Sequence, residues 1–263
     1  MARAHAEDGT QLFYEIVGAG DPLLLVNGQA SDHRMWDRVV AAFSADHQVV
    51  LVDPRGTGAS DKPSAPPYST RGFAADLVAV LDAAGIERAH AYGFSMGGRV
   101  CQWLAIDHPG RIGALVLGAT TPGDAHGIAR AADADAVLSA PPSPESVQRM
   151  AELMYSPGWV AAHPEVLTPA EPIPLHAKRQ HYLASQGHDA WDRLLDISAP
   201  TLLIHGSDDL VNPTANAALM AARIPGAQMY IVDGGRHGYF EEYGEQASRV
   251  VLEFLAGHPI DRA

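Results

Sequence analysis

Short, almost uniformly apolar runs recur along the chain, and segments with helical spacing lie between them. Uniform runs are typical of strands covered on both faces of a parallel sheet. Apolar residues three and four positions apart predict the helices, as at Phe73, Leu77 and Val80. Strand and helix alternate, which predicts an α/β fold with a mostly parallel, doubly wound sheet. We expect residues 12–17 to add an antiparallel edge strand. The six predicted parallel strands are residues 23–26, 49–52, 89–92, 115–117, 201–204 and 229–232.

The alternation breaks between residues 122 and 196, where strand-like runs disappear and Ala, Pro and His dominate. The pattern there predicts three or four short helices. A stretch of this length is too long for a simple loop. We therefore interpret residues 122–196 as a helical cap inserted into a core domain formed by residues 1–121 and 197–263. Because ligand pockets favour domain interfaces, a cap over the site is preferred to a subdomain without substrate contact.

The composition narrows the class of protein. A chain of 263 residues, 47% of them hydrophobic, can bury one large core. Its formal net charge of -13 disfavours nucleic acid as a partner. With Cys101 as the single cysteine, neither an intramolecular disulfide nor a cysteine-based metal site can form. No window of about 18 apolar residues and no signal peptide is apparent, so we expect a soluble, cytoplasmic protein without membrane contact.

Residues 93–97 match the motif G-x-S-x-G, directly after a predicted strand and before a helix predicted over 96–108. Glycines on both sides of Ser95 permit the sharp strand-to-helix turn that exposes a nucleophilic hydroxyl. The turn also places Ser95 at a helix N-terminus, where backbone N–H groups favour an oxyanion. The alternative is that Ser95 merely caps the helix, as serine commonly does.

A serine nucleophile needs a base and a group that orients the base. His237 follows the last predicted strand in a glycine-rich segment, so it can reach the crevice that holds Ser95. Asp208 and Asp209 follow the strand before it. Successive residues point in different directions, so only one of the two aspartates can face His237.

An oxyanion hole needs two donors. The N–H of Met96 is one candidate, and the N–H of Gln29, in the loop after the first parallel strand, is the other. Ordinary turn formation explains that loop equally well.

Some aromatic residues could line a substrate pocket, although a buried aromatic residue is more often part of the core. The candidates are Trp36, Phe94, Tyr155, Trp159 and Tyr239. The histidines of the cap lack the spacing of metal ligands, and we expect them to be solvated or hydrogen-bonded; they are His163, His176, His181 and His188.

Three motifs, in this order along the chain, resemble the α/β-hydrolase family: D-x-R-G-x-G-x-S at residues 53–60, G-x-S-x-G at residues 93–97 and G-x-x-D-x-x-x-P at residues 206–213. The chain looks most like the serine-nucleophile branch, in particular 3-oxoadipate enol-lactonases and related carboxylesterases. The resemblance implies the α/β-hydrolase fold and selects Asp209 as the acid. It also implies that Asp53, Arg55 and Ser60 are structural.

Two positions depart from the family pattern. Many relatives have histidine where this chain has Asn27, a change that could alter the oxyanion loop. Relatives often have glycine at the position of Arg236, which we interpret as a surface residue in preference to a contact with an acidic substrate.

The resemblance implies hydrolysis of a carboxylic ester or lactone of a small, partly apolar molecule, through an acyl-enzyme on Ser95. This chemistry needs no metal and no organic cofactor. A carbon–carbon bond hydrolase and a cofactor-free haloperoxidase share the same triad and stay open. A ligand receptor that keeps the fold without turnover is an alternative of another class.

Overall fold

A computed structural model describes residues 2–65, 67–140, 143–168 and 173–260. Their strands form one sheet in the order β1-β2-β4-β3-β5-β6-β7-β8. Strand β2 pairs antiparallel with β1 and β4, and the remaining pairs are parallel. The predicted parallel sheet is therefore confirmed. The strands are β1 Ala2–His5, β2 Gln11–Val17, β3 Asp21–Val26, β4 His47–Val52, β5 Ala89–Phe94, β6 Ile112–Gly118, β7 Thr201–Gly206 and β8 Gln228–Val232.

The N-terminal edge differs from the prediction. Strand β2 is antiparallel, as expected, but it does not lie at the edge, because β1 pairs along its outer side from Ala2 with Tyr14 to His5 with Gln11. Strand β1 has four residues, of which only Ala4 is buried. Such a short strand has no apolar run of its own, so its place in the sheet comes from the β2 partner.

Helices cover both faces of the sheet. Alternate strand residues point into two cores, so Leu24 packs with the residues of α2, α3 and α8, whereas Leu25 packs with those of α1, α9 and α10. The apolar residues between Trp36 and Phe43 have the spacing of one helix, but the structure there is a 3₁₀ turn, His33–Trp36, followed by the short helix Val40–Ser44. The core helices are α1 Val40–Ser44, α2 Thr70–Ala83, α3 Met96–Asp107, α8 Ala215–Ala221, α9 Tyr239–Glu242 and α10 Gly244–Ala256.

Helices joined by irregular stretches make up the described part of the segment between β6 and β7. One isolated bridge, between Gly123 and Asp189, joins the two ends of the segment. Its helices are α4 Ala132–Ser139, α5 Pro144–Met154, α6 Pro157–Ala162, a 3₁₀ turn Pro164–Leu167, α7 Leu175–Gln186 and a 3₁₀ turn Trp191–Asp196. None of the helices in the described parts of the chain is both long and apolar enough to cross a membrane.

The first turn of α3 packs directly against the end of β3. A Cβ atom at Gly97 would lie 2.2 Å from the carbonyl oxygen of Val26 and 2.6 Å from that of Asn27. These are backbone atoms of a sheet and its adjoining loop, so they cannot move aside cheaply. Glycine at this position therefore decides how closely the helix approaches the sheet.

We expect Gly97→Ala to lower the free energy of unfolding by at least about 2 kcal/mol, because overpacking outweighs the helix propensity gained, about 1 kcal/mol. Urea unfolding measures this. Gly110→Ala is the matched control, since a Cβ there meets nothing within 4 Å, and its effect should stay within about 0.5 kcal/mol. Equal stability of the two variants would contradict the expectation.

Candidate active site

Ser95 occupies a strained turn between β5 and α3. Its φ of 54° lies in the left-handed region, which residues other than glycine rarely adopt. Its N–H donates to the Gly118 carbonyl at 2.8 Å, and the Thr120 hydroxyl donates to the Ser95 carbonyl at 2.7 Å. The Ser95 hydroxyl makes no capping hydrogen bond to α3. Hydrogen bonds therefore hold the backbone of Ser95, while its hydroxyl stays available to react. A helix-capping role for Ser95 does not explain this arrangement.

His237 lies against this hydroxyl. Its Nε2 is 3.0 Å from Ser95 Oγ, and its Nδ1 is 2.8 Å from Asp209 Oδ2. A carboxylate can only accept, so Nδ1 carries the proton and Nε2 accepts from the serine hydroxyl. The structure thus brings together three predicted residues, from the carboxyl ends of β5, β7 and β8.

Hydrogen bonds hold both oxygens of the Asp209 carboxylate. Its Oδ1 accepts from the backbone N–H groups of Val211 at 2.8 Å and Asn212 at 2.9 Å. Its Oδ2 accepts from His237 and lies 3.1 Å from Nε2 of His205, which donates to the Asn212 carbonyl at 2.7 Å. Burial alone would raise the pKa of Asp209, but the two histidines outweigh it and hold that pKa well below its usual range. Asp209 is therefore an ionised partner for His237.

The neighbouring Asp208 is exposed and accepts from the Ser207 hydroxyl at 2.7 Å, so it does not face His237. His205, in contrast, was missed by the sequence reasoning. It is a buried polar residue that directly follows the apolar run 201–204 on the same strand. A buried histidine four positions before a buried aspartate is the signal that could have identified it.

The two candidate oxyanion donors lie on two elements next to Ser95, helix α3 and the loop after β3. Met96 is the first residue of α3, where an N–H group has no acceptor within the helix. The loop with Gln29 begins at Gly28, whose Cβ, if present, would lie 3.8 Å from Ser95 Cβ. Asn27 braces this loop by donating to the Val52 carbonyl at 2.9 Å and accepting from the Trp36 indole at 2.8 Å. Asn27, which stands where many relatives have histidine, therefore has a structural role through its side-chain amide.

The predicted pocket aromatics lie in different environments. Trp36 and Tyr239 are fully buried in the core, with Trp36 against Phe240 at 5.1 Å between ring centroids. Interior packing surrounds both side chains, and their assignment to the pocket stays a prediction. Phe94 lies beside the site, with its ring centroid 4.9 Å from that of His237.

Tyr155 and Trp159 come from the segment between β6 and β7. Tyr155 covers Gly238, where a Cβ atom would lie 2.3 Å from the tyrosine ring. Trp159 is half-buried and its ring centroid lies 4.2 Å from that of Tyr155. Tyr155 therefore contacts Gly238, the residue after His237, and Trp159 packs against Tyr155.

The loop that carries His237 is tied to α5. Gly238 N–H donates to the Met154 carbonyl at 2.7 Å, and the Arg236 guanidinium donates to the Glu152 carbonyl. Arg236 is half-buried in this contact. Arg236 therefore lies partly at the surface, and its guanidinium holds the loop against α5.

Asp32, His33 and Asp53 form the one group of potential metal ligands close enough together in the described parts of the chain. Asp53 already accepts from the His33 ring at 2.6 Å and from the Ala59 N–H at 2.7 Å. Asp32 pairs with Arg34 at 2.6 Å. These contacts give the three residues a structural role. For Asp53, this is the role that the resemblance implied.

Comparison with known proteins places the chain among hydrolases. A family model described as alpha/beta hydrolase fold matches residues 21–243. The chain is 34% identical, over 97% of its length and 98% of the relative, to a protein of Azorhizobium caulinodans named "Putative carbamate hydrolase RutD". A solved hydrolase from Pseudomonas aeruginosa PA01 is 30% identical, with a TM-score of 0.84 and 97% of each chain covered.

The enol-lactonase from Burkholderia xenovorans LB400 is also similar, with 26% identity and a TM-score of 0.82 over 97% of this chain and 100% of that one. These similarities confirm that the chain is a hydrolase. They do not single out the enol-lactonases, because the Azorhizobium relative is more similar in sequence and carries a different name.

The lowered pKa of Asp209 predicts a pH-dependent contribution to stability. Ionised Asp209 favours the folded state, so this contribution is full above the ordinary aspartate pKa of about 3.9 and is lost as the pH falls towards the folded-state value. We therefore expect the unfolding free energy of the parent to fall more between pH 7 and pH 3 than that of Asp209→Asn. Urea unfolding at each pH measures it. Asp208→Asn should follow the parent, and parallel curves for the parent and Asp209→Asn would refute the expectation.

Proposed function

Because the chain belongs to the α/β-hydrolase fold family, we propose that it is a serine hydrolase with Ser95 as the nucleophile, His237 as the base and Asp209 as the orienting acid. One observation carries this proposal: the hydrogen-bonded line from Ser95 Oγ through both nitrogens of the His237 ring to Asp209 Oδ2, at 3.0 Å and 2.8 Å. Fold membership alone would not fix these roles.

In the first half of the reaction, Ser95 Oγ attacks the substrate carbonyl carbon while His237 Nε2 takes the hydroxyl proton. Negative charge then moves to the carbonyl oxygen, which accepts hydrogen bonds from the N–H groups of Met96 and Gln29. His237 returns the proton to the leaving group as its bond to the carbonyl carbon breaks. An acyl-enzyme on Ser95 remains.

Water completes the cycle. His237 Nε2 removes a proton from water, whose oxygen attacks the acyl carbon, and the same two N–H groups hold the second oxyanion. Ser95 leaves with the proton from His237, and the carboxylic acid is released. Throughout, the ionised Asp209 stabilises the imidazolium form of His237, and the three N–H groups that donate to the carboxylate keep it from reorienting.

The substrate class is a carboxylic ester or lactone of a small, partly apolar molecule. Support comes from the apolar surroundings of the nucleophile, where the Phe94 ring lies beside His237 and Tyr155 covers the next residue. The likeness to an enol-lactonase agrees with this class.

A carbamate is the second candidate, favoured by the similarity to the relative named as a carbamate hydrolase. Its carbonyl is attacked in the same way, but the leaving group or the acyl portion contains nitrogen.

Residues 122–196 act as a cap that completes the site, while residues 1–121 and 197–263 form the core. The contacts of Met154 and Glu152 with the loop around His237 support this division, since they join the inserted segment to a catalytic loop. The cap thus limits both the size of the substrate and the access of water.

We expect Ser95→Ala to abolish hydrolysis of an activated ester, with a loss of at least about 10⁴-fold in kcat, because the attacking hydroxyl is removed from His237. A p-nitrophenyl ester assay measures the loss, and circular dichroism checks that the variant folds. A serine-directed phosphonate should add its mass to the peptide with Ser95. Unchanged turnover in Ser95→Ala, or an adduct on a different residue, would refute the assignment.

A panel of substrates separates the candidate classes. We expect parent kcat/KM values for short-chain esters and small lactones to exceed those for matched carbamates and for a vinylogous diketone, with Ser95→Ala as the blank. Preference for the carbamates would favour the second candidate. Cleavage of the diketone alone would indicate a carbon–carbon bond hydrolase, and tight binding without turnover of any compound would indicate a receptor.

A further inference from the structure

We propose that His181, on helix α7 of the inserted segment, is a positioning residue that holds the Gln29 loop in the conformation needed to bind an oxyanion. This inference rests on the proposed function, since it concerns the same site. His181 does not touch the reacting atoms, and it acts through the backbone of the loop.

The ring of His181 joins two loops of the core. Its Nδ1 accepts from the N–H of Ala30 at 3.2 Å, and its Nε2 lies 2.8 Å from the Arg55 carbonyl. A carbonyl only accepts, so Nε2 carries the proton and Nδ1 is the acceptor. The neutral ring in this one tautomer satisfies both contacts at once.

The surroundings of His181 keep it neutral and fixed. The side chain is fully buried, with ring centroids 5.0 Å from Phe73 and 5.8 Å from Tyr68. Burial lowers the pKa of His181 to about 4. A protonated ring would present a donor to the Ala30 N–H, so the contact requires the neutral form.

The loop needs such a restraint. Ala30 has a φ of 58°, in the left-handed region, which costs about 1–3 kcal/mol for a residue with a Cβ. The peptide groups before and after Gln29 share its Cα atom. Fixing the N–H of Ala30 therefore restricts the direction of the Gln29 N–H, which is the proposed donor.

The same face of α7 also contacts the element that carries the other donor. Ser185, one turn after His181, accepts through its hydroxyl from the Arg99 guanidinium at 3.2 Å and through its carbonyl from the same group. Arg99 is buried on α3, the helix that begins at Met96. Helix α7 thus contacts both elements that carry the proposed donors. Ser185 contacts α3, and His181 contacts the Gln29 loop.

Two variants separate the two hydrogen bonds. In His181→Gln the amide nitrogen reaches the place of Nε2, so the bond to Arg55 is kept and the acceptor for Ala30 is lost. In His181→Asn the side-chain oxygen lies near the place of Nδ1, so the acceptor is kept. The exposed His176, on the same helix, provides the matched control His176→Gln.

We expect His181→Gln to lower kcat for an activated ester by about 10- to 100-fold with KM changed by less than about twofold, because a misdirected donor weakens binding of the transition state only. His181→Asn should recover most of this loss. His176→Gln should match the parent. With a thionoester, whose sulfur accepts hydrogen bonds poorly, the loss in His181→Gln should be clearly smaller.

Equal losses in His181→Gln and His181→Asn, or equal losses for ester and thionoester, would indicate a purely structural role and overturn the inference. A Ser95-dependent parent activity that His181→Gln leaves intact would overturn it while the proposed function stands. A parent activity independent of Ser95 would overturn both. If His181→Gln does not fold, ¹⁵N NMR of the parent decides: an Nε2-protonated His181 and a slowly exchanging Ala30 amide support the inference, and an Nδ1-protonated ring refutes it.

Discussion

The turn at Ser95 is the constraint on which the rest of the site depends. A φ of 54° is unfavourable for serine, by about 1–3 kcal/mol, and it persists because two hydrogen bonds hold the Ser95 backbone, one to the Gly118 carbonyl and one from the Thr120 hydroxyl. The turn also needs α3 to approach the sheet more closely than any side chain at Gly97 would allow. Once this geometry is set, the serine hydroxyl and the first N–H of α3 point to the same side of the sheet.

The parallel sheet then supplies the partners of Ser95. Strands β7 and β8 end at the same edge as β5, so the loops that follow them bring Asp209 and His237 together from distant parts of the chain. A buried carboxylate is costly unless its oxygens are hydrogen-bonded. Three N–H donors meet that requirement around Asp209, and the His205 ring lies 3.1 Å from the same carboxylate. They also favour its ionised form, which fixes the orientation of the His237 ring.

The segment between β6 and β7 contacts two loops of the site. Helix α5 binds the loop of His237 through the Met154 carbonyl, and α7 binds the Ala30 N–H through His181. Both loops lack regular secondary structure, so these contacts restrict their conformations. The inserted segment is therefore joined by hydrogen bonds to the loops around Ser95.

Local patterns in the sequence were enough to predict the features that depend on residues adjacent in the chain. Apolar runs marked the parallel strands, and the glycines around Ser95 marked the strained turn. The order of strand ends made His237 a candidate, and a family motif chose Asp209. Tertiary structure alone decided the outer place of β1 and the burial of Trp36 in the core. It also decided the bonds of His181 to Ala30 and Arg55, because hydrogen bonds between residues so far apart in sequence arise only when the sheet and the inserted segment pack together.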